Sequence, residues 1–366
     1  MKTSVLLASL VLFTSVTHAQ VLKKLKDKVE QKVEKTVNPN ASGNNSSTET
    51  NTTTSNTNAS TAKILTDYCQ KVYQLESGES MAYNESRLGF GTDQKGYKII
   101  IKTKNGYKLL ENGKTTPLTS PPTELLKDDA EKLHHNVTLS DQEVRSNYVK
   151  TNAMYEQIIV YKGKTIATFK MLQGIVVSQD KNHLYAAGTE FINNNMVYNL
   201  VSQDGKKTKL PSMPMLVMMS DDGSVGGAAI SEYNIQSEKN SNPDPSTMGI
   251  MHLYLTNGSV INTTMEDLQG SWIHKAGKLI TYKNGQVLVD GKPTFTLSNE
   301  TSGEVFVNDN LTMAVKVHEG SIEFSDGIKP EWAYSINKVT IDGKTYFSWF
   351  TVDFSTKTIY LCKKEF

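Results

Sequence analysis

The sequence predicts an all-β domain from residue 63 onward, and three observations carry that prediction. Short runs rich in Val, Ile, Tyr, Phe and Thr alternate with polar turns. Nine Asn-Gly or Asp-Gly dipeptides punctuate the runs; such dipeptides favour two-residue hairpins because both central residues take positive φ. The hairpins also repeat one another at a spacing that divides the chain into similar units.

The 366 residues are 37% hydrophobic and 21% charged, with a net charge of +1. This is globular composition, and the length allows a large core. It excludes a wholly disordered chain and a disulfide-dense miniprotein. No apolar run reaches the ~18 residues of a membrane-spanning helix. Arg87 and Arg145 are the only arginines. Nucleic-acid readers lean on Arg for bidentate contacts, so no nucleic-acid partner is expected.

Residues 1–19 read as a secretory signal peptide. Lys2 gives a basic start, Val5 to Phe13 an apolar core, and Thr17-His18-Ala19 a small-residue cleavage site. The mature chain is therefore expected to be exported: periplasmic, outer-membrane-associated or secreted. Residues 20–37 follow as an amphipathic charged helix. Val21, Leu25, Val29, Val33 and Val37 form one apolar stripe beside a row of Lys24, Lys28 and Lys32. Such a helix suits a peripheral membrane surface or a partner helix, or stands solvated. This start, a signal peptide before a Leu-Lys-Lys-Leu-Lys helix, resembles exported proteins of Bacteroidetes-type bacteria. Residues 38–62 are a low-complexity linker: 19 of these 25 residues are Asn, Ser or Thr. Without Leu, Ile, Val, Met or aromatic side chains nothing offsets the entropy of ordering, so a disordered tether is expected.

Residues 63–366 form the predicted domain. VSQDKNHLYAA (177–187) aligns without gaps to MSDDGSVGGAA (219–229). FGTDQKGYKII (90–100), IHKAGKLITYK (273–283), VNDNLTMAVK (307–316) and VDFSTKTIYLC (352–362) follow the same shape. Their starts are 87, 42, 54, 34 and 45 residues apart, the first gap hiding a diverged copy near 133–150. A second unit recurs downstream as NGYKLLENGKTTP (105–117), NGQVLVDGKP (284–293) and EGSIEFSDGIKP (319–330). Two hairpins per period of about 44 residues make four strands, the blade of a β-propeller. The strand-turn-strand units resemble the repeats of WD40-like and TolB-like β-propellers. The expected fold is thus a propeller of six or seven four-stranded blades, with a β-sandwich or β-solenoid as the alternative. Two insertions interrupt it: a Pro-led helical stretch after Ser120 with a capping box at Ser140 to Glu143, and Gln236 to Thr247.

No nucleophile elbow, zinc-binding motif or phosphate loop is present, so the sequence nominates no catalytic residue, no cofactor and no metal. The nearest metal pattern, Asp128, Asp129, Glu131, His134 and His135, is read as acids and histidines complementing a helix dipole. His183, His252, His274 and His318 are solitary, the first two expected in strands. Trp272, Trp332 and Trp349 are expected to pack between blades. The functional expectation is a binding or scaffold module for an envelope protein or extracellular polymer. The alternative is a glycan hydrolase or lyase, with Asp221, Asp222 and Asp309 as the first carboxylates to test. Cys69 and Cys362 lie near the two ends of the domain. A ring must join its first and last strands, and export favours oxidation, so a Cys69–Cys362 disulfide is expected, with two buried free thiols as the alternative.

Overall fold

The computed structural model describes residues 63–82, 97–120, 138–299, 303–318, 320–330 and 332–366. The signal peptide, the charged helix, the linker and the Asp128 to His135 cluster lie outside these residues.

Seven antiparallel sheets follow one another along the chain. Sheet 1 holds β2 (Ser80–Met81), β3 (Lys98–Thr103), β4 (Gly106–Glu111) and β5 (Lys114–Leu118). Sheet 2 holds β6 (Val149–Thr151), β7 (Gln157–Tyr161) and β8 (Lys164–Phe169). Sheet 3 holds β9 (Met171–Val177), β10 (Leu184–Ile192), β11 (Asn195–Ser202) and β12 (Lys207–Leu210). Sheet 4 holds β13 (Leu216–Met219), β14 (Gly226–Ser231), β15 (Ile250–Leu255) and β16 (Val260–Thr264). Sheet 5 holds β17 (Trp272–His274), β18 (Lys278–Lys283), β19 (Gln286–Val289) and β20 (Lys292–Thr296). Sheet 6 holds β21 (Glu304–Val307), β22 (Ala314–His318) and β23 (Ser321–Phe324). Sheet 7 combines β24 (Tyr334–Ile341), β25 (Lys344–Asp353) and β26 (Thr358–Glu365) with β1 (Cys69–Gln74) from the start of the domain. Two sheets thus have three strands among the described residues, where four were expected throughout.

The core lies between sheets. Side chains alternate along a strand, so each central strand feeds two neighbours. In β10, Leu184 and Ala186 pack toward sheet 2, whereas Tyr185 and Ala187 pack toward sheet 4. In β25, Trp349 joins a core with Phe306 and Phe324 of sheet 6, and Phe350 joins Ile99 and Ile101 of sheet 1. Further cores join sheets 4 and 5 through Leu253 and Ile273, and sheets 5 and 6 through Trp272 and Val305. Strands buried on both faces read as continuous apolar runs rather than alternating ones, which explains Ile99-Ile100-Ile101 and Gly226 to Ile230. The junction of sheets 1 and 2 adjoins residues 121–137, outside the described set.

The sequence repeat corresponds to one structural turn. Between the first and second strands of sheets 3, 4, 5 and 6, the carbonyls of Ser178, Ser220, His274 and Asn308 accept from the N–H three residues on, at 2.8–2.9 Å. Those third residues, Lys181, Gly223, Gly277 and Leu311, all have φ between 58° and 72°. The diverged copy lies later than the expected 133–150, at Asn152, whose carbonyl accepts from Tyr155 N–H at 3.0 Å in sheet 2. The unit at 352–362 is a correction: it joins β25 to β26, one turn later in its sheet. Sheet 7 instead opens on a tight hairpin at Asp342-Gly343, with φ of 50° and 78°. Five of the nine Gly-containing dipeptides likewise differ from expectation, because only the Gly has positive φ at Asn105-Gly106, Asp204-Gly205, Asp222-Gly223, Asn257-Gly258 and Asp326-Gly327.

The capping box forms as expected: Glu143 N–H donates to the Ser140 hydroxyl and the Glu143 carboxylate accepts from Ser140 N–H at the start of the helix Asp141–Tyr148. The second insertion folds into a short helix, Glu232–Ser237, and a 3-10 turn, Pro245–Gly249, between β14 and β15. Cys69 and Cys362 are register partners across β1 and β26 and form a disulfide, with Cα atoms 3.9 Å apart.

Candidate functional site

The repeated turns place charged residues at equivalent positions. The residue after the turn's first carbonyl is Asp221 in sheet 4, Lys275 in sheet 5 and Asp309 in sheet 6. Their signs alternate. The Lys275 ammonium pairs with the Asp309 carboxylate, so two of the three positions meet directly. The first strands of sheets 4 and 5 also touch through a parallel bridge between Ser220 and Ile273.

His274 and Lys338 complete the group. His274, 3% exposed, ends β17. Burial pushes its pKa below the usual value, against the opposing pull of Asp221 and Asp309. Its Nδ1 accepts from Ala276 N–H at 3.1 Å, which leaves Nε2 to carry the proton of the neutral ring. No hydrogen bond from Nε2 is seen among the described residues. Lys338 comes from β24 of sheet 7. Burial lowers its pKa, again against Asp221 and Asp309, although the side chain keeps accessible surface. The Lys338 ammonium lies 5.6 Å from the Phe306 ring centre and 5.9 Å from that of Phe366, and no carboxylate pairs with it among the described residues. Four sheets therefore contribute to one cluster of charged and polar side chains.

The carboxylates named from the sequence do gather here, but in differing states. Asp222 accepts from the Ser224 N–H at 3.0 Å, the Ser224 hydroxyl at 2.7 Å and the Ser220 hydroxyl at 2.8 Å. Burial pushes its pKa up, and these hydrogen bonds outweigh it and hold the carboxyl below the usual value. Asp222 thus braces its own turn, while Asp309 is held by Lys275. Sequence reading missed His274, Lys275 and Lys338 as site residues. Lys275 was detectable, because the aligned repeats place it in register with Asp221 and Asp309. Lys338 lies in a strand outside the repeat, and only the fold brings it in.

The remaining candidates fall elsewhere. His252, in β15 as expected, lies 2.8 Å from both Glu232 Oε2 and Asn262 Oδ1 through its two ring nitrogens. His183 is in a turn rather than a strand, and His318 ends β22. Trp272 and Trp349 pack between sheets as expected. Trp332 does not: it is 48% exposed, on the connection between sheets 6 and 7. Exposed Met171, Phe191, Met196, Met215, Leu216 and Met248 lie toward the opposite ends of strands in sheets 3 and 4.

No protein-family description matches this chain, and no curated protein matches it. Solved structures it is similar to are β-propeller domains and glycoside hydrolases. The β-propeller domain of the Trilobed protease from Pyrococcus furiosus is 10% identical, with 82% of this chain and 95% of that chain covered and a TM-score of 0.25. For Pyrococcus horikoshii acylaminoacyl peptidase the values are 11%, 74%, 50% and 0.26, so this chain spans half of that one. A glycoside hydrolase gives 10%, 86%, 96% and 0.21.

Proposed function

We propose that the chain is an exported, closed seven-bladed propeller of the WD40-like or TolB-like kind, working as a binding module for an extracellular polymer or an envelope protein. In this reading the seven sheets are the blades and the ring closes through the junction of sheets 1 and 2. Residues 1–19 direct export, and residues 20–62 hold the domain at a membrane surface or a partner helix. The observation that supports binding is the cluster itself. Charged and polar side chains from four sheets converge where Nε2 of a nearly buried histidine and a lysine ammonium are left to meet a ligand. The hydrolase alternative needs a carboxylic acid kept protonated as general acid. Asp222 is held ionised by its turn and Asp309 is paired with Lys275, so neither is prepared for that role.

The test is retention of native envelope components by the immobilised mature chain, compared with a Lys275→Glu variant. Charge reversal at Lys275 sets four carboxylates in the cluster and is expected to abolish retention while the far-ultraviolet spectrum stays unchanged. Equal retention by both proteins would reject the cluster as the binding site. Release of new reducing ends from envelope polysaccharide would instead establish the hydrolase. The exposed apolar residues of sheets 3 and 4 favour a protein as one partner. In that case Leu216→Lys, and not Lys275→Glu, abolishes retention.

A further inference from the structure

One end of sheets 2, 3 and 4 carries exposed apolar side chains. In sheet 2 these are Met154 and Tyr155, on the turn between β6 and β7; Tyr155 keeps 85% of its surface. In sheet 3 they are Met171 at the start of β9, and the register partners Phe191 and Met196 beside the hairpin that joins β10 to β11. In sheet 4 they are Met213, Met215 and Leu216, leading into β13, with Met248 and Ile250 leading into β15. Met171 opens β9 and Leu216 opens β13, whereas the repeated turns follow the ends of those strands. The apolar side chains and the charged cluster thus lie at opposite strand ends.

Polar contacts join the apolar residues into one patch. The Lys170 ammonium lies 2.6 Å from the Glu156 carboxylate, and Leu172 N–H donates to Gln157 Oε1 at 2.8 Å. The residues on either side of Met171 are therefore fastened to Glu156 and Gln157, which follow Tyr155. The Tyr198 hydroxyl lies 3.9 Å from Met196 Sδ and donates to Glu238 Oε1 at 2.7 Å. The same carboxylate oxygen accepts from the Ser212 hydroxyl at 3.3 Å, and Met213 follows Ser212. The Met213 carbonyl in turn accepts from Asn234 Nδ2 at 3.2 Å. The patch runs from sheet 2 to sheet 4, with the short helix Glu232–Ser237 beside it.

Area and charge together name what covers it. Side chains of this size, about half exposed, offer roughly 100 Å² each, so the patch is on the order of 1,000 Å². The largest apolar patch of a monomer is usually about 300–600 Å², and a specific interface takes about 800 Å² from each partner. A face that lies on a membrane is rimmed by Lys and Arg. This rim carries both signs: Glu156 with Lys170, then Glu238, Lys239 and Asp244 in the second insertion. A partner of one strong sign gains little from it. A second copy turned about a two-fold axis presents the same patch and the same mixed rim, so acids of one copy can meet bases of the other. Met supplies half or more of the apolar contacts, and its unbranched thioether adjusts to a surface that has to pack against itself.

We infer that the chain forms a two-fold symmetric homodimer through this end of sheets 2, 3 and 4. The inference goes beyond the binding reading and does not depend on it. A dimer built this way leaves the charged cluster of each copy uncovered, and offers two of them to one polymer.

The experiment is sedimentation equilibrium of the mature chain from about 1 to about 100 μM. The expected result is a monomer–dimer equilibrium with a Kd of about 10 μM or tighter. Phe191→Lys and Met215→Lys each place two like charges in a two-fold interface and should raise that Kd at least about 30-fold. Val260→Lys is the control: Val260 is 49% exposed but lies where β16 begins, at the opposite end of sheet 4, and its Kd should equal that of the wild type. All three positions are exposed, so the unfolding midpoints should match. If a variant is destabilised, the wild type decides. With methyl-labelled Met, assigned by single Met→Leu replacement, the signals of Met171, Met196 and Met215 should shift on dilution, while those of buried Met81, Met219 and Met251 should not. A monomer at about 100 μM overturns the inference. So does a dimer that persists in Phe191→Lys and Met215→Lys, or whose dilution leaves the exposed Met signals unmoved, since the contact then lies on another surface. Binding of a monomeric chain to phosphatidylcholine–phosphatidylglycerol vesicles, lost in the same two variants, makes lipid the occupant and overturns it as well. Retention by Lys275→Glu bears on the binding reading alone, so the two fail separately.

Discussion

Gly226 shows how a single position is constrained by a neighbouring sheet. A Cβ added there would lie 2.2 Å from Tyr185 Cδ1 and 2.5 Å from Cγ. Tyr185 is 3% exposed, and its hydroxyl donates to the Gly223 carbonyl at 2.9 Å. Burial pushes its pKa up to about 12. The ring cannot retreat without losing that bond and opening the core between sheets 3 and 4. Gly226→Ala is therefore expected to destabilise the domain by about 1–3 kcal/mol, the range for overpacking. Gly249→Ala, where a Cβ meets nothing within 4 Å, is the control and should stay within about 0.5 kcal/mol. Urea denaturation with an unchanged slope checks both; equal midpoints for the two variants would remove the steric argument. The alignment of VSQDKNHLYAA with MSDDGSVGGAA shows where large residues give way to glycines. It does not show why. The ring that fills the space comes from the neighbouring sheet, and sequence alone does not say which sheets touch.

The turns are the elements whose chemistry was most legible. A Ser or Asn whose side chain caps the following residues is a local device, needing nothing beyond its own loop, so the repeat could be read before the fold was known. The 352–362 unit carries the same local chemistry, with Asp353 accepting from Ser355 and Thr356, but it sits one turn later. Sheet 7 draws its fourth strand from the start of the domain, so the chain order that dated the other repeats does not apply there. Lys338 was illegible for the same reason, since its place depends on which strand the fold brings beside the turns. The turn carboxylates also predict a response to acid. The Ser178 hydroxyl, then the Asn182 N–H, holds Asp180 down at about 2. Asp204 is lowered by the Ser202 hydroxyl and Lys206 N–H, and Asp353 by the Ser355 hydroxyl. A folded pKa below the unfolded value near 4 stabilises the fold above pH ~4, and that stabilisation is lost as pH falls through the folded pKa. Stability should thus fall between pH ~4 and ~2, followed by urea midpoints from circular dichroism. Asp180→Asn and Asp204→Asn should flatten that fall. These groups are largely exposed, so screening by solvent keeps each contribution small. A midpoint independent of pH across that window would show that the turns do not carry the effect.

At the scale of the whole domain, sheet 7 joins the first and last strands of the described residues. β1 pairs with β26 through Cys69 to Cys362, Gln70 to Leu361 and Lys71 to Tyr360, and resumes at Tyr73 with Ile359. Gln74 extends the seam through Nε2 to the Lys357 carbonyl at 3.3 Å, and the Thr358 hydroxyl donates to Gln74 Oε1 at 3.0 Å. These bonds hold an edge strand of six residues, which on its own is a modest seam. The disulfide adds a covalent tie across a sequence separation of 293 residues. By the chain-entropy account so long a loop is worth about 5–6 kcal/mol, an upper bound because measured gains fall short of it. Replacing both cysteines by Ala removes the tie without burying a hydroxyl at position 362, which is fully buried. The double variant should lose several kcal/mol in urea denaturation (~3–5) and become insensitive to reductant, while the wild type under reductant should approach it. Hydrogen exchange locates the effect. Amides of residues 69–74 should exchange faster in the double variant, because release of β1 no longer has to stretch a covalent link, whereas those of β10, buried between sheets 2 and 4, should be nearly unchanged at low denaturant. Equal protection of β1 in both proteins would mean that the ladder alone holds the seam and that the disulfide acts only on the unfolded chain.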